Sequence, residues 1–202
     1  MITALDEATA ISRLKCGGVV IVPTETSYAL MCIATDSAAV ARLMAIKHRP
    51  SGRPLPLLLP SIATLEHLDP ETPLLVLAEA FWPGPLTLVV PAYPGLCAAL
   101  TAETNMIGVR VSAHPVAQRI VVAVGQPLVA TSANRSGEPA PATVDDCQLA
   151  GLLGVDGLVD GGPVAGEAST VMGLVDGQLV MFQPGRLAEA RVREVWLKAR
   201  AG

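Results

Sequence analysis

The chain has 202 residues, 51% of them hydrophobic and 16% charged, so it carries enough apolar material for one sizeable core and is not a disordered segment. Aromatic residues make up only 3% and the formal net charge is −4, which argues against a ring-lined platform for single strands and against a globally basic nucleic-acid face. Cys16, Cys32, Cys97 and Cys147 are widely spaced, without a Cys-x-x-Cys pair or a zinc spacing, so reduced thiols in a cytoplasmic protein with no metal site are expected. The N-terminus lacks a signal-peptide pattern, and apolar runs such as 85–92 are too short and broken to span a bilayer, so no membrane partner is expected.

Leu5, Ala8, Ile11 and Leu14 recur at helical spacing, and Gly17-Gly18 ends that pattern. Residues 19–22 are a short apolar run suited to a strand covered on both faces, stopped by Pro23. Thr24 or Thr26 then caps a helix through 27–30, or the string is a plain turn. Ser37 is placed to cap a helix reaching Ile46, which Lys47-His48-Arg49-Pro50 closes. The run 55–59 reads as a strand that Pro56 pushes toward an edge or a bulge. Helices follow near 62–68 and 73–81, strands at 86–90 and 107–111, a helix at 116–124 and a strand at 128–130. A helix at 144–153, short strands at 158–159 and 170–175, a hairpin turn at Asp176-Gly177, a strand at 178–182 and a last helix at 187–199 complete the chain. Loose alternation with a hairpin argues for a single α/β domain, 1–202, built on a mixed, twisted sheet.

Phosphate-loop, Gly-x-Gly-x-x-Gly, Gly-x-Ser-x-Gly and His-Glu-x-x-His signatures are all missing. What remains is a set of short polar strings beside apolar runs. Arg42, Lys47, Arg49 and Arg53 form a cationic group in a chain that has no lysine or arginine between Arg53 and Arg110. Lys47 and Arg49 can converge on phosphate oxygens, the arginine as a fork and the lysine as a point charge; the alternative is a solvated helix end. His48, between them, reads as structural. Ser132 and Asn134 follow a strand and are either turn-formers or ligand donors and acceptors at strand ends. Arg110 lies within an apolar strand and needs a partner, either a ligand carboxylate or a buried protein carboxylate.

In this order the strings resemble the threonylcarbamoyl-AMP synthase family, also called the YrdC/Sua5 family. The match is carried by Pro23-Thr24-Glu25-Thr26-Ser27-Tyr28, Lys47-x-Arg49-Pro50 with Pro54-Leu55, Trp82-Pro83-Gly84-Pro85-Leu86-Thr87 and Val109-Arg110-Val111 with His114-Pro115. It continues through Ser132-Ala133-Asn134-x-Ser136-Gly137, Asp160-Gly161-Gly162, Ser169-Thr170-Val171 and Pro184-Gly185, so it runs from about 19 to 186.

The resemblance implies a YrdC-like α/β domain with a large concave cleft over its sheet. It also implies a nucleotidyltransferase that makes threonylcarbamoyl-adenylate and pyrophosphate from L-threonine, bicarbonate and ATP. Mg²⁺ would accompany the ATP. The product would feed the N6-threonylcarbamoyl modification of tRNA adenosine 37, completed by partner proteins. Carried over residue by residue, Lys47 and Arg49 are catalytic; Lys47, Arg49, Ser132, Asn134 and Arg186 bind nucleotide; Thr26, Tyr28, Arg110 and Ser169 bind threonine. Leu58 stands where a His is common in the family, Gln183 where an Arg is, Ala29 where Gly is usual and Met106 where a Thr is frequent. Two alternatives accompany this reading: a non-catalytic module that binds double-stranded RNA, and a paralogue that makes a carbamoyl-adenylate from another substrate.

Overall fold

The computed structural model describes residues 1–49, 54–68 and 72–201. In chain order its elements are β1 Ala4–Leu5, α1 Glu7–Lys15, β2 Val20–Pro23, β3 Tyr28–Ile33, α2 Ser37–Ile46, β4 Leu57–Leu58, α3 Ile62–Leu68, α4 Leu75–Phe81 and β5 Leu86–Pro91. They continue with β6 Met106–Arg110, α5 Pro115–Val124, β7 Leu128–Ser132, α6 Val144–Leu149, β8 Gly157–Val159, β9 Thr170–Val175, β10 Gln178–Gln183 and α7 Glu189–Ala201. All ten strands join one mixed sheet in the order β1-β8-β2-β3-β7-β4-β6-β5-β9-β10. The expected α/β class and mixed sheet are therefore found.

Several local expectations are corrected. Residues 27–30 are not helical: β2 and β3 form an antiparallel hairpin with Pro23 opposite Tyr28. The Thr24 hydroxyl accepts the amides of Thr26 and Ser27 and donates to the Ser27 carbonyl, which closes a tight turn instead of capping a helix. Asp36, not Ser37, caps α2 by accepting from the amides of Ala38 and Ala39. Leu5 lies in β1, and α1 begins after its cap Asp6.

Far from being an edge, β4 lies between β7 and β6. Only Leu57 and Leu58 pair there, so Pro56 sits just outside the strand and its missing N–H costs the ladder nothing. Helix α6 stops at Leu149 because Gly151 turns the chain at φ 59°.

The sheet has two unlike faces. On the first, Leu30, Leu57, Leu88, Val109, Val129 and Met172 pack with Val40 and Leu43 of α2, Leu77 of α4 and Trp196 of α7. On the second, Val20, Val22, Met31 and Leu128 pack with Leu14 of α1 and Ile120 and Val121 of α5. Each such fully buried side chain contributes about 1.5–3 kcal/mol. Helices α1 and α5 cover only the β8-β2-β3-β7 half of that second face. Over β6, β5 and β9, no helix among the described residues covers it. The alternating residues Thr87, Val89, Met106, Gly108, Arg110 and Val171 there form the floor of a cavity.

Candidate active site

The cavity has a volume of about 900 Å³. The sheet supplies its floor, and loops at the strand ends supply polar groups. Of the residues singled out in the sequence, Thr26, Arg49, Arg110, Ser132 and Ser169 line it. Gly108 keeps the floor low, since a Cβ there would meet Thr87 Cγ2 at 3.0 Å.

Lys47 and Arg49 part ways. Lys47 is the C-cap of α2, and His48 takes a left-handed conformation at φ 49°, uncommon for a non-glycine residue. The kink sends Lys47 inward, where it is 2% exposed, and leaves Arg49 on the cavity wall. Lys47 Nζ donates to Ser132 O at 2.5 Å, Asn134 O at 2.9 Å and Asn134 Oδ1 at 2.9 Å, which matches its three hydrogens, and lies 3.4 Å from Ser132 Oγ. Burial and the nearby Arg49 charge push its pKa down to about 8, while Glu138 acts the other way.

Ser132 Oγ donates to Asn134 Oδ1 at 2.6 Å, and the Asn134 amide donates to Glu138 O. Lys47 and Asn134 thus stand behind Ser132 and shape the loop that presents it. Arg49 donates to Pro54 O at 2.9 Å. Of the other cations in the group, Arg42 is turned away to Asp156 at 2.8 Å, and Arg53, like Pro50, falls outside the described residues.

Arg110 is 7% exposed and pairs with Glu25 of the β2–β3 turn, while its other terminal nitrogen approaches Thr26 Oγ1 at 3.4 Å. Burial lowers the guanidinium pKa, and Glu25 opposes that shift. The sequence had left open whether Arg110 meets a protein carboxylate or a ligand; the protein one is present. Glu25 and its second partner Ser112 were missed as site residues. One signal was available: Glu25 is the only charged residue between Lys15 and Asp36, inside a string already singled out.

Ser169 Oγ and Thr87 Oγ1 lie 2.8 Å apart across β5 and β9. Arg186 is exposed and donates to the Glu25 carbonyl at 2.9 Å, just outside the cavity lining.

Tyr28 does not line the cavity. It is fully buried, its hydroxyl donates to Gly162 O at 2.9 Å, and that oxygen accepts from Gly161 N at 3.2 Å. It ties the hairpin to the Asp160-Gly161-Gly162 loop. Tyr28→Phe is expected to cost about 1–2 kcal/mol in urea unfolding by stranding those groups.

The substituted family positions also fall on the cavity: Ala29, Leu58, Met106 and Gln183 all line it. The parallel β4–β6 register sets Leu58 beside Arg110. Among the described residues no helix is long and apolar enough to cross a membrane.

Comparison with known proteins shows the family. Residues 12–185 match the Sua5/YciO/YrdC family, described as "Telomere recombination". The Bacillus subtilis threonylcarbamoyl-AMP synthase is 36% identical over 194 residues, 93% of this chain and 56% of that protein. The crystal structure of Pyrococcus abyssi Sua5 complexed with L-threonine superposes with a TM-score of 0.90 at 33% identity, over 96% of this chain and 60% of that one. E. coli YciO, with a TM-score of 0.81 at 24% identity over 95% of both chains, shares the fold. The chain thus spans little more than half of the first two relatives and nearly all of the third. With a fold that superposes closely, ordered motifs over most of its length and a match across residues 12–185, the chain belongs to the Sua5/YciO/YrdC family.

Proposed function

We propose that the protein is a threonylcarbamoyl-AMP synthase, acting as a single domain in the cytoplasm on L-threonine, bicarbonate and ATP. One observation carries this reading: a single cavity of about 900 Å³ exposes Arg49 and Ser132 together with Thr26, Arg110 and Ser169. That volume suits a nucleotide beside a small amino acid. The Bacillus subtilis relative carries this enzyme's name, and the Pyrococcus abyssi relative was solved with L-threonine. Four unpaired cysteines support a reducing compartment.

The threonine amine adds to carbon dioxide from bicarbonate and gives a carbamate. A carbamate oxygen attacks the α-phosphorus of ATP, the bond to the bridging oxygen breaks, and pyrophosphate leaves with the electron pair. No side-chain nucleophile takes part, so catalysis is positioning and charge stabilisation.

Arg49 is the catalytic cation at the phosphates, and Arg186 is a second at the rim. Ser132 faces the nucleotide, with Asn134 shaping its loop. Arg110 clamps the threonine carboxylate, flanked by the hydroxyls of Thr26 and Ser169, while Tyr28 supports that wall from behind. Lys47 acts through Ser132 and Asn134, because its hydrogens are already committed to them. Mg²⁺ would arrive with the triphosphate; among the described residues no three His, Cys, Asp or Glu side chains cluster to hold a metal. The adenylate would pass to partner proteins that complete the tRNA modification. A net charge of −4 gives no support to the alternative of a duplex-RNA-binding module.

A second reading, a carbamoyl-adenylate made from another amino acid, is favoured by Leu58 beside Arg110 and by Met106 on the floor. Pyrophosphate release from ATP and bicarbonate, measured with each of the common amino acids, tests both. Release that depends on threonine is expected; release with a more apolar amino acid alone selects the second reading, and no amino-acid dependence rejects both.

A further inference from the structure

We propose that Glu25 is a positioning residue that fixes the Arg110 guanidinium for the carboxylate of the amino-acid substrate, an inference that rests on the synthase reading above. Thr24, Thr26 and Ser27 line the cavity, whereas Glu25, between them, does not. Its carboxylate points the other way, behind Arg110. One oxygen accepts from Arg110 Nη1; the other accepts from Ser112 Oγ at 2.5 Å and from Ala113 N at 3.2 Å. Ser112 is 1% exposed, so this anchor is inside the protein. From the outer side, Arg186 holds the Glu25 carbonyl at 2.9 Å.

Three roles for such a carboxylate can be told apart. A mobile counter-ion that occupies the substrate's place would lie on the cavity side and have a free oxygen; Glu25 does neither. A purely structural ion pair would direct its arginine away from the cavity, yet Arg110 lines it. The remaining role uses the shape of the guanidinium. Its five donors form a planar fork, and a carboxylate fixed on one edge sets the plane of the other. Here the second terminal nitrogen is turned toward Thr26 Oγ1, at the cavity wall. The pair offsets the cost of burying the charged guanidinium, so the incoming carboxylate meets an oriented, still cationic fork. The turn that carries Glu25 is itself fixed, since the Thr24 hydroxyl bonds Thr26 N, Ser27 N and Ser27 O. Orientation is thereby set before substrate enters, which lowers the cost of binding.

Glu25→Gln and Ser112→Ala test this in the full chain. Glutamine keeps the size but removes the charge, and it can no longer accept on both sides; the alanine only loosens the anchor. Calorimetric titration with L-threonine and, separately, with ATP is compared with the wild-type protein, alongside wild-type pyrophosphate release. Glu25→Gln is expected to weaken threonine binding about tenfold and Ser112→Ala about threefold, with ATP affinity changed less than twofold in both. Equal losses for the two ligands, or unchanged threonine affinity, overturn the proposal. Should Glu25→Gln fail to fold, Ser112→Ala decides by the same criteria. A wild-type protein that neither binds threonine nor releases pyrophosphate brings down the synthase reading and this inference with it. A wild-type protein that does both, with threonine affinity intact in the variants, brings down the inference alone.

Discussion

Replacing Lys47 by alanine is expected to lower threonine-dependent pyrophosphate release on the order of 10²-fold or more. The ammonium gathers Ser132 O, Asn134 O and Asn134 Oδ1 around one point. Without it three acceptors lose their donor at a site that is 2% exposed, each at a cost of about 1–3 kcal/mol unless water enters. The loop then relaxes, and Ser132 leaves the position from which it faces the cavity. A displacement of about 1 Å at a reacting site costs about 10²-fold in rate.

The same lysine predicts a pH effect in which activity and stability move in opposite directions. Its folded-state pKa is about 8 against an ordinary 10.5. Between those values the unfolded chain binds more protons, so the Lys47 contribution to stability rises with pH across that window. Activity should fall over the same range, because the neutral amine has only two hydrogens for three acceptors. Rate profiles and thermal midpoints measured from pH 7 to pH 10 check this; a rate that does not decline above pH 8 removes the argument.

Arg110→Ala is expected to raise the threonine KM by about 10²-fold or more, because truncating one member of a buried, hydrogen-bonded charge pair costs about 2–5 kcal/mol of binding. It should also destabilise the fold. Glu25 would keep Ser112 and Ala113 as donors but lose its counter-charge, and breaking a mostly buried pair in this way costs about 3–5 kcal/mol. Adding Glu25→Gln to Arg110→Ala removes the stranded charge. Part of the lost stability should then return in urea unfolding, with no return of threonine affinity. Recovery of both in the double variant would contradict the role given to Arg110.

The sequence made the framework legible where pattern and chemistry coincide. The apolar runs of β2, β5, β6 and β7 stand out because their strands are buried on one or both faces, and Asp176-Gly177 announces its hairpin with two left-handed residues at φ 50° and 74°. The β2–β3 turn was harder to read, because Thr-x-Thr-Ser suits a helix cap as well as a hydroxyl-closed turn; only the pairing of Tyr28–Ile33 with β2 and β7 decides between them. Local spacing does not reveal that His48 takes a left-handed conformation, with Lys47 directed to Ser132 and Asn134 and Arg49 on the cavity wall. The Glu25–Arg110 pair spans 85 positions, and only the folded sheet brings such partners together. Local strings thus marked the polar groups, while long-range pairing determined which of them face the cavity.

The unequal covering of the sheet separates two demands that often conflict. Thr87, Val89 and Met106 project from strands whose opposite sides, through Leu88, Ile107 and Val109, are anchored in the main core. Substitutions on the open side therefore leave the scaffold's packing intact while altering the contour a small molecule encounters. Divergence in substrate choice is expected to accumulate there first, and a laboratory library confined to those three positions should yield altered preferences among proteins that still fold.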